Sequence, residues 1–307
     1  MLVYYLYVVT NLVVEFSGIV PALAVPFKGH EVDFELLSEH LDRLLRSGVD
    51  GFFVVATTGL GHAMGIKSKL ELVRFVAENR RTAFMIVNTA SIEFEEVKEL
   101  VRESERVGAD AIASNVMYYF KVDDEGALKF FTKVASLTEL PFFVYNIPQT
   151  TGYNIHPRLL RVLKRELKNL VGVKDSSANI LQIADLATID GLKVFNGADE
   201  ISLPALIAGA SGCVSALSNV VPELFVGMYR AYREGDTSRA VELYRNILEI
   251  STGVKDLQLN ISIYGALSVL YNREFTLMEV FRPLSRSEKE IVEKAIRNYL
   301  ERRLSSN

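Results

Sequence analysis

The sequence predicts a (β/α)8 barrel followed by about three further helices, and three observations predict it. Eight short apolar runs rich in β-branched residues alternate with stretches of helical periodicity. No proline- or serine-rich linker interrupts them, and 307 residues suit one barrel with an extension. No G-x-G-x-x-G follows the first run, so an open dinucleotide-binding sheet lacks its fingerprint.

In chain order the expected strands are residues 19–25, 51–55, 83–87, 111–116, 141–146, 171–174, 193–196 and 213–217. Each is an apolar run of strand length bounded by turn formers. Amphipathic stretches at 33–46, 67–80, 92–107, 124–136 and 157–168 read as helices between them, several opened by acidic or capping residues. After the eighth strand, residues 222–233, 238–251, 257–270 and 287–303 have helical periodicity. The first completes the barrel and three are left over. The expected organisation is an N-terminal extension at 1–17, a barrel at 18–235 and a helical extension at 236–307. Residues 1–16 are apolar, but they have no basic leader and are too short for a membrane span. Their β-branched and aromatic content suits an extra strand or an edge covered by a partner, and a start codon assigned too early fits equally well.

Composition narrows the function classes. The chain is 49% hydrophobic and 23% charged, with a net charge of −4. This leaves no basic footprint for nucleic acid and no polybasic patch for a membrane. The expected partner is a small molecule. The single cysteine, Cys213, rules out an intrachain disulfide and suits a reducing, cytoplasmic setting; its apolar neighbours mark it as a small core residue. His30, His40, His62 and His156 show no metal-ligand spacing, so no metal or other cofactor is expected. His62 follows Gly61 in a loop that should face the pocket; as a lone imidazole it reads as a surface residue, or as one that touches substrate.

Barrel active sites form where the strand C-termini meet the following loops. Three polar clusters lie there: Thr57-Thr58-Gly59-Leu60-Gly61 after the second strand, Tyr145-Asn146-Ile147-Pro148 after the fifth, and Lys174-Asp175-Ser176-Ser177 after the sixth. Lys174 is framed by the apolar run Leu170-Val171-Gly172-Val173, beside low-dielectric walls that favour a free amine able to attack a carbonyl. Taken alone, a lysine ending a strand more often points to water. Together the clusters supply an amine nucleophile, a phenol to move protons, and hydroxyls and backbone donors to hold an acid.

With Gly18-Ile19-Val20-Pro21, Pro26-Phe27, Tyr118-Tyr119, Asn196-Gly197-Ala198-Asp199 and Gly209-Ala210-Ser211-Gly212 in the same order, the chain resembles a known family from about Gly18 to Leu300. That family is the class I pyruvate-dependent aldolases and lyases of the dihydrodipicolinate synthase and N-acetylneuraminate lyase superfamily. The resemblance implies a metal-independent carbon–carbon lyase, a homotetramer, and a Schiff base from Lys174 to pyruvate. Tyr145 would be the acid/base, oriented by Thr57, with Thr58 and Gly59 holding the pyruvyl carboxylate. Tyr119, Gly197, Asp199 and Val214 would complete the substrate site, Tyr119 reaching across a subunit boundary.

Substrate class turns on departures from the pattern. Dihydrodipicolinate synthases typically carry an arginine two residues after the proline of Tyr-Asn-x-Pro, where this chain has Thr150. Gln149-Thr150-Thr151-Gly152 also departs from the lyases' Leu-Ser-Gly. Thr58-Gly59-Leu60-Gly61, Ile112-Ala113-Ser114 and Tyr118-Tyr119 are similar to archaeal 2-keto-3-deoxygluconate aldolases. The expectation is therefore reversible cleavage of 2-keto-3-deoxygluconate or a related sugar acid to pyruvate and an aldehyde such as glyceraldehyde, in carbohydrate metabolism. Phe120-Lys121-Val122 keeps one positive charge but no arginine pattern for a phosphorylated substrate. The alternatives are a dihydrodipicolinate synthase, a hydroxy-oxoglutarate aldolase or a dehydratase on the same scaffold, and a non-catalytic keto-acid-binding regulator. By spacing, Asp199 is equally placed to cap the helix beginning near Ile201.

Overall fold

Alternation along a strand divides its residues between a barrel lumen and a helix-facing side, and that division governs the packing of this chain. The computed structural model describes residues 14–254 and 257–304. Eight parallel strands, β1 (Gly18–Pro21), β2 (Gly51–Val54), β3 (Phe84–Asn88), β4 (Ala111–Ser114), β5 (Phe142–Asn146), β6 (Leu170–Asp175), β7 (Lys193–Asn196) and β8 (Gly212–Ser215), pair in chain order. β1 also pairs with β8, Gly18 opposite Gly212. The ring closes where Ala22 bridges Phe53 and the Leu23 amide donates to the Phe53 carbonyl at 3.0 Å.

Each strand is followed by a helix: α1 (Phe34–Arg46), α2 (Ile66–Asn79), α3 (Phe94–Arg106), α4 (Asp124–Ala135), α5 (Pro157–Glu166), α6 (Ile180–Leu186), α7 (Ser202–Ile207) and α8 (Pro222–Glu234). Local sequence sets their ends. Asp33, Asp123 and Asn179 accept first-turn amides of α1, α4 and α6, and Gly235 ends α8 in the left-handed conformation. α9 (Thr237–Gly253), α10 (Leu259–Tyr271) and α11 (Arg286–Leu304) form the C-terminal extension. Their buried Leu243, Ile247, Tyr264, Leu267 and Ile296 share one apolar core with α1, α2 and the outer faces of β1 and β2.

Five of the eight expected strands were longer than the hydrogen-bonded ones, two matched in length, and 171–174 was shorter than Leu170–Asp175. Residues 22–25, 55, 115–116 and 216–217 extend past the ladder, and their backbones bend into the loops of the mouth. A short hairpin pairing Phe27–Lys28 with Glu31–Val32 was not anticipated. Residues 1–13, on which the extra-strand reading rested, lie outside the described residues. Phe16 is described, and its ring packs edge-on against Phe84 and Phe143 at 5.3 and 5.1 Å, inside the lumen cluster.

The lumen is a filled core. Val20, Phe53, Phe84, Ile86, Phe143, Tyr145, Phe195 and Val214 occupy it, all buried. Among the described residues no helix is long and apolar enough to cross a membrane. Cys213 lies buried, and burial pushes its thiol up to about 12, as befits a core residue.

Candidate functional site

At the C-terminal end of the lumen the packed column becomes polar. β6 carries Lys174 between Tyr145 of β5 and Phe195 of β7 in register. Its side chain is buried, with Nζ 4.1 Å from the centre of the Tyr145 ring and 4.3 Å from that of Phe53. The aromatic faces of Phe53 and Tyr145 and the packed apolar lumen enclose the amine on the barrel side. Tyr145 is 2% exposed; its hydroxyl lies 3.4 Å from Thr57 Oγ1, and its ring meets Phe53 edge-on at 5.4 Å. The structure thus brings the predicted amine, phenol and threonine together from β6, β5 and the loop after β2.

That loop is folded tightly onto the barrel. Val55 and Leu60, neither a glycine, both sit in the left-handed region at φ 58°, conformations that cost of order 1–3 kcal/mol each and persist at sites the surroundings over-determine. Gly59 is required by close approach, because a Cβ there would stand 2.4 Å from the Leu23 carbonyl oxygen. The Leu60 and Gly61 amides donate to Thr57 and Ala56. Among the described residues, those of Thr58 and Gly59 make no hydrogen bond, which leaves two adjacent donors of the kind that hold a carboxylate.

Gly197 follows β7, and a Cβ on it would stand 2.1 Å from Ser176 Oγ and 3.2 Å from Lys174 Cε. A side chain there would displace the Ser176 hydroxyl and crowd the lysine. Asp199 does not cap a helix. α7 begins after Ile201 with no side-chain cap, and Asp199 Oδ2 instead accepts the Leu217 amide at 2.9 Å, from the loop after β8. Its Oδ1 is buried and has no well-directed hydrogen bond. Burial raises this carboxyl to about 6; the Ser215 hydroxyl, the Leu217 amide and the Lys174 charge pull it down, while Glu200 pushes it up. Val214 is buried in the lumen beside Val20.

Tyr119 and His62 stand apart from this cluster. Tyr119 is 88% exposed at φ 79° and stacks edge-on against Phe120, so within this chain it is not part of the pocket lining. His62 is half-buried: its ring packs on Tyr118 at 4.6 Å, and burial, aided by the Lys69 charge, lowers it to about 4. Among the described residues no group of three or more His, Cys, Asp or Glu could hold a metal ion. Sequence reasoning missed Phe53, although its place in the alternation of β2 pointed it into the lumen. It also missed the polar network behind Lys174, which has no local signal.

The Dihydrodipicolinate synthetase family model matches residues 15–299. A 4-hydroxy-tetrahydrodipicolinate synthase of Methanocaldococcus jannaschii is 32% identical over 285 residues, 92% of this chain and 98% of that protein. One from Methanopyrus kandleri is 35% identical over 77% of this chain and 80% of its own length. A crystallised dihydrodipicolinate synthase superposes with a TM-score of 0.88 at 31% identity, covering 92% of this chain and 99% of that one. The 2-keto-3-deoxygluconate aldolases to which the sequence was compared are not the relatives these matches name. By model, sequence and superposition, the chain belongs to the dihydrodipicolinate synthetase family and is an enzyme of its pyruvate-dependent lyase and synthase class.

Proposed function

We propose that this protein joins pyruvate to an aldehyde, or separates the two, through a Schiff base on Lys174. The observation that carries the reading is the buried Lys174 amine against the ring of Tyr145, whose hydroxyl faces Thr57. The free amine adds to the ketone carbon of pyruvate and water leaves, giving an iminium. The iminium withdraws electrons from the methyl carbon, whose proton passes to the Tyr145 oxygen, freed of its own proton by the departing water, to form an enamine. The enamine carbon attacks the aldehyde, and Tyr145, held by Thr57, delivers the proton to the new alkoxide. The Thr58 and Gly59 amides hold the pyruvyl carboxylate, while Gly197 leaves room beside the lysine. Hydrolysis of the iminium returns the amine.

The relatives' names favour aspartate semialdehyde chemistry, the condensation of a 4-hydroxy-tetrahydrodipicolinate synthase, as the first reading. Two observations favour a sugar-acid aldehyde as the second. Thr150 stands where such synthases typically carry an arginine for the second carboxylate, and Asp199 Oδ1 is a buried acceptor suited to a hydroxyl. A homotetramer, with exposed Tyr119 and Phe120 at a subunit boundary, remains part of the proposal. Sedimentation velocity tests that part.

Borohydride with pyruvate should add a stable mass at Lys174. Labelling of a Lys174→Ala variant to the same extent overturns the mechanism. Initial rates with aspartate semialdehyde and glyceraldehyde then separate the two readings. Pyruvate binding with no turnover of any aldehyde would leave a keto-acid-binding regulator.

A further inference from the structure

The strand that carries Lys174 ends in a second buried polar residue. Asp175 is fully buried, and its carboxylate accepts three donors: the Ser177 amide at 2.7 Å and Asn146 Nδ2 at 3.5 Å on Oδ1, and Gln182 Nε2 at 2.6 Å on Oδ2. Gln182 comes from α6, a separate element, and it is itself buried. Its amide faces both ways. Oε1 accepts from Asn154 Nδ2 at 2.9 Å, and Nε2 also reaches Asn154 Oδ1 at 3.2 Å.

Asn154 lies in the loop that follows Tyr145-Asn146, and the ring closes there. Asn146 Nδ2 donates to Asn154 Oδ1 at 2.8 Å, and its Oδ1 accepts the Ile155 amide at 2.9 Å. Backbone bonds bind the same tips, Ser176 N to Asn146 O at 2.8 Å and Gly197 N to Asp175 O at 2.7 Å. One helix side chain therefore joins the residue after the lysine to the loop after the tyrosine. Removing its donor would leave a buried carboxylate short of a partner, which the strand tip can relieve only by moving.

We propose that Gln182 is a positioning residue: through Asp175 and Asn154 it sets the placement of the Lys174 amine relative to the Tyr145 hydroxyl. The proposal rests on the reading of those two groups as nucleophile and proton carrier. A small displacement between reacting groups costs up to about 100-fold in rate, so the effect belongs in kcat rather than in pyruvate binding.

The test compares the wild type with Gln182→Met, Asp175→Asn, Gln182→Glu and the double variant Asp175→Asn/Gln182→Glu. Each is measured for kcat, for KM toward pyruvate and for borohydride trapping on Lys174. In Gln182→Met, kcat should fall at least tenfold while KM for pyruvate stays within about threefold and trapping persists. The double variant reverses the polarity of one hydrogen bond, so that an amide introduced at position 175 donates to a carboxylate introduced at position 182. It should recover at least fivefold over the worse single variant, which a general loss of packing would not do. Should Gln182→Met not fold, the near-isosteric exchange decides alone. A folded Gln182→Met with kcat within twofold of wild type, or a double variant no better than its parents, overturns the positioning role. Wild type that pyruvate and borohydride fail to label overturns the Schiff-base reading itself, and the positioning role with it.

Discussion

Asp199→Asn should stabilise this protein at neutral pH, although it removes a charge from the candidate site. The native carboxyl is buried, and burial raises it from 3.8 to about 6. A group whose folded value exceeds its unfolded value contributes stability that is complete below the unfolded value and is lost as pH rises through the folded one. For Asp199 that window runs from about pH 4 to pH 6. At about 1.36 kcal/mol per pH unit, the wild type above the window carries a burden of about 3 kcal/mol that it does not carry at pH 3.5. An asparagine keeps the oxygen that accepts the Leu217 amide and turns its NH2 toward the Ser215 hydroxyl oxygen, without a charge. Urea unfolding followed by circular dichroism, at fixed protein concentration from pH 4 to pH 8, measures the difference. The variant should gain about 2–3 kcal/mol on the wild type between pH 4 and pH 7, then run parallel to it. A difference independent of pH, or one growing toward acid, would refute the claim that the buried carboxylate is the cost.

Three further outcomes follow from the same geometry. Tyr145→Phe should retain borohydride trapping on Lys174 but lose about 10²–10⁴-fold in kcat, as expected when a proton carrier is removed; Thr57→Val should lose less, because it only orients the phenol. His40 is fully buried with Nε2 on Asn219 and Nδ1 on the Tyr271 hydroxyl, and burial lowers it to about 3. Its contribution is therefore complete above pH 6.5 and lost as pH falls toward 3, and acid titration of His40→Gln should show a flatter limb across that range. Gly197→Ala places a methyl against Ser176 Oγ and Lys174 Cε; thermal melts should show a loss of about 1–3 kcal/mol, and initial rates a fall in kcat/KM.

The strand count, the strand-helix alternation and the C-terminal helices were all legible in the sequence, because burial inside a barrel leaves a one-dimensional trace: apolar runs of strand length between amphipathic stretches. Lys174, Tyr145 and Thr57 were legible for a related reason. Each stands at or just after a strand's C-terminal end, and closing the barrel gathers those ends at one mouth. Where a residue's role depends on what comes to lie across from it, sequence spacing failed. Asp199 looked like a helix cap, but its carboxylate reaches the Leu217 amide on another loop. His62 looked like a surface residue, but the Tyr118 ring packs edge-on against it and leaves it half-buried.

Gln182 carried no signal at all. A glutamine on a short helix is unremarkable until the fold sets it against Asp175 and Asn154, and only the structure provides that neighbour. Phe16 is a like case. Its sequence neighbours suggest an appendage, whereas its ring packs inside the lumen against Phe84 and Phe143. Periodicity and strand-end placement are properties of the chain taken alone, so the sequence by itself determined the architecture and the amine, phenol and threonine at its mouth. Which groups are buried together, and hence which carboxyl is raised and which side chain holds the lysine in place, depends on contacts between distant segments that only the tertiary structure decided.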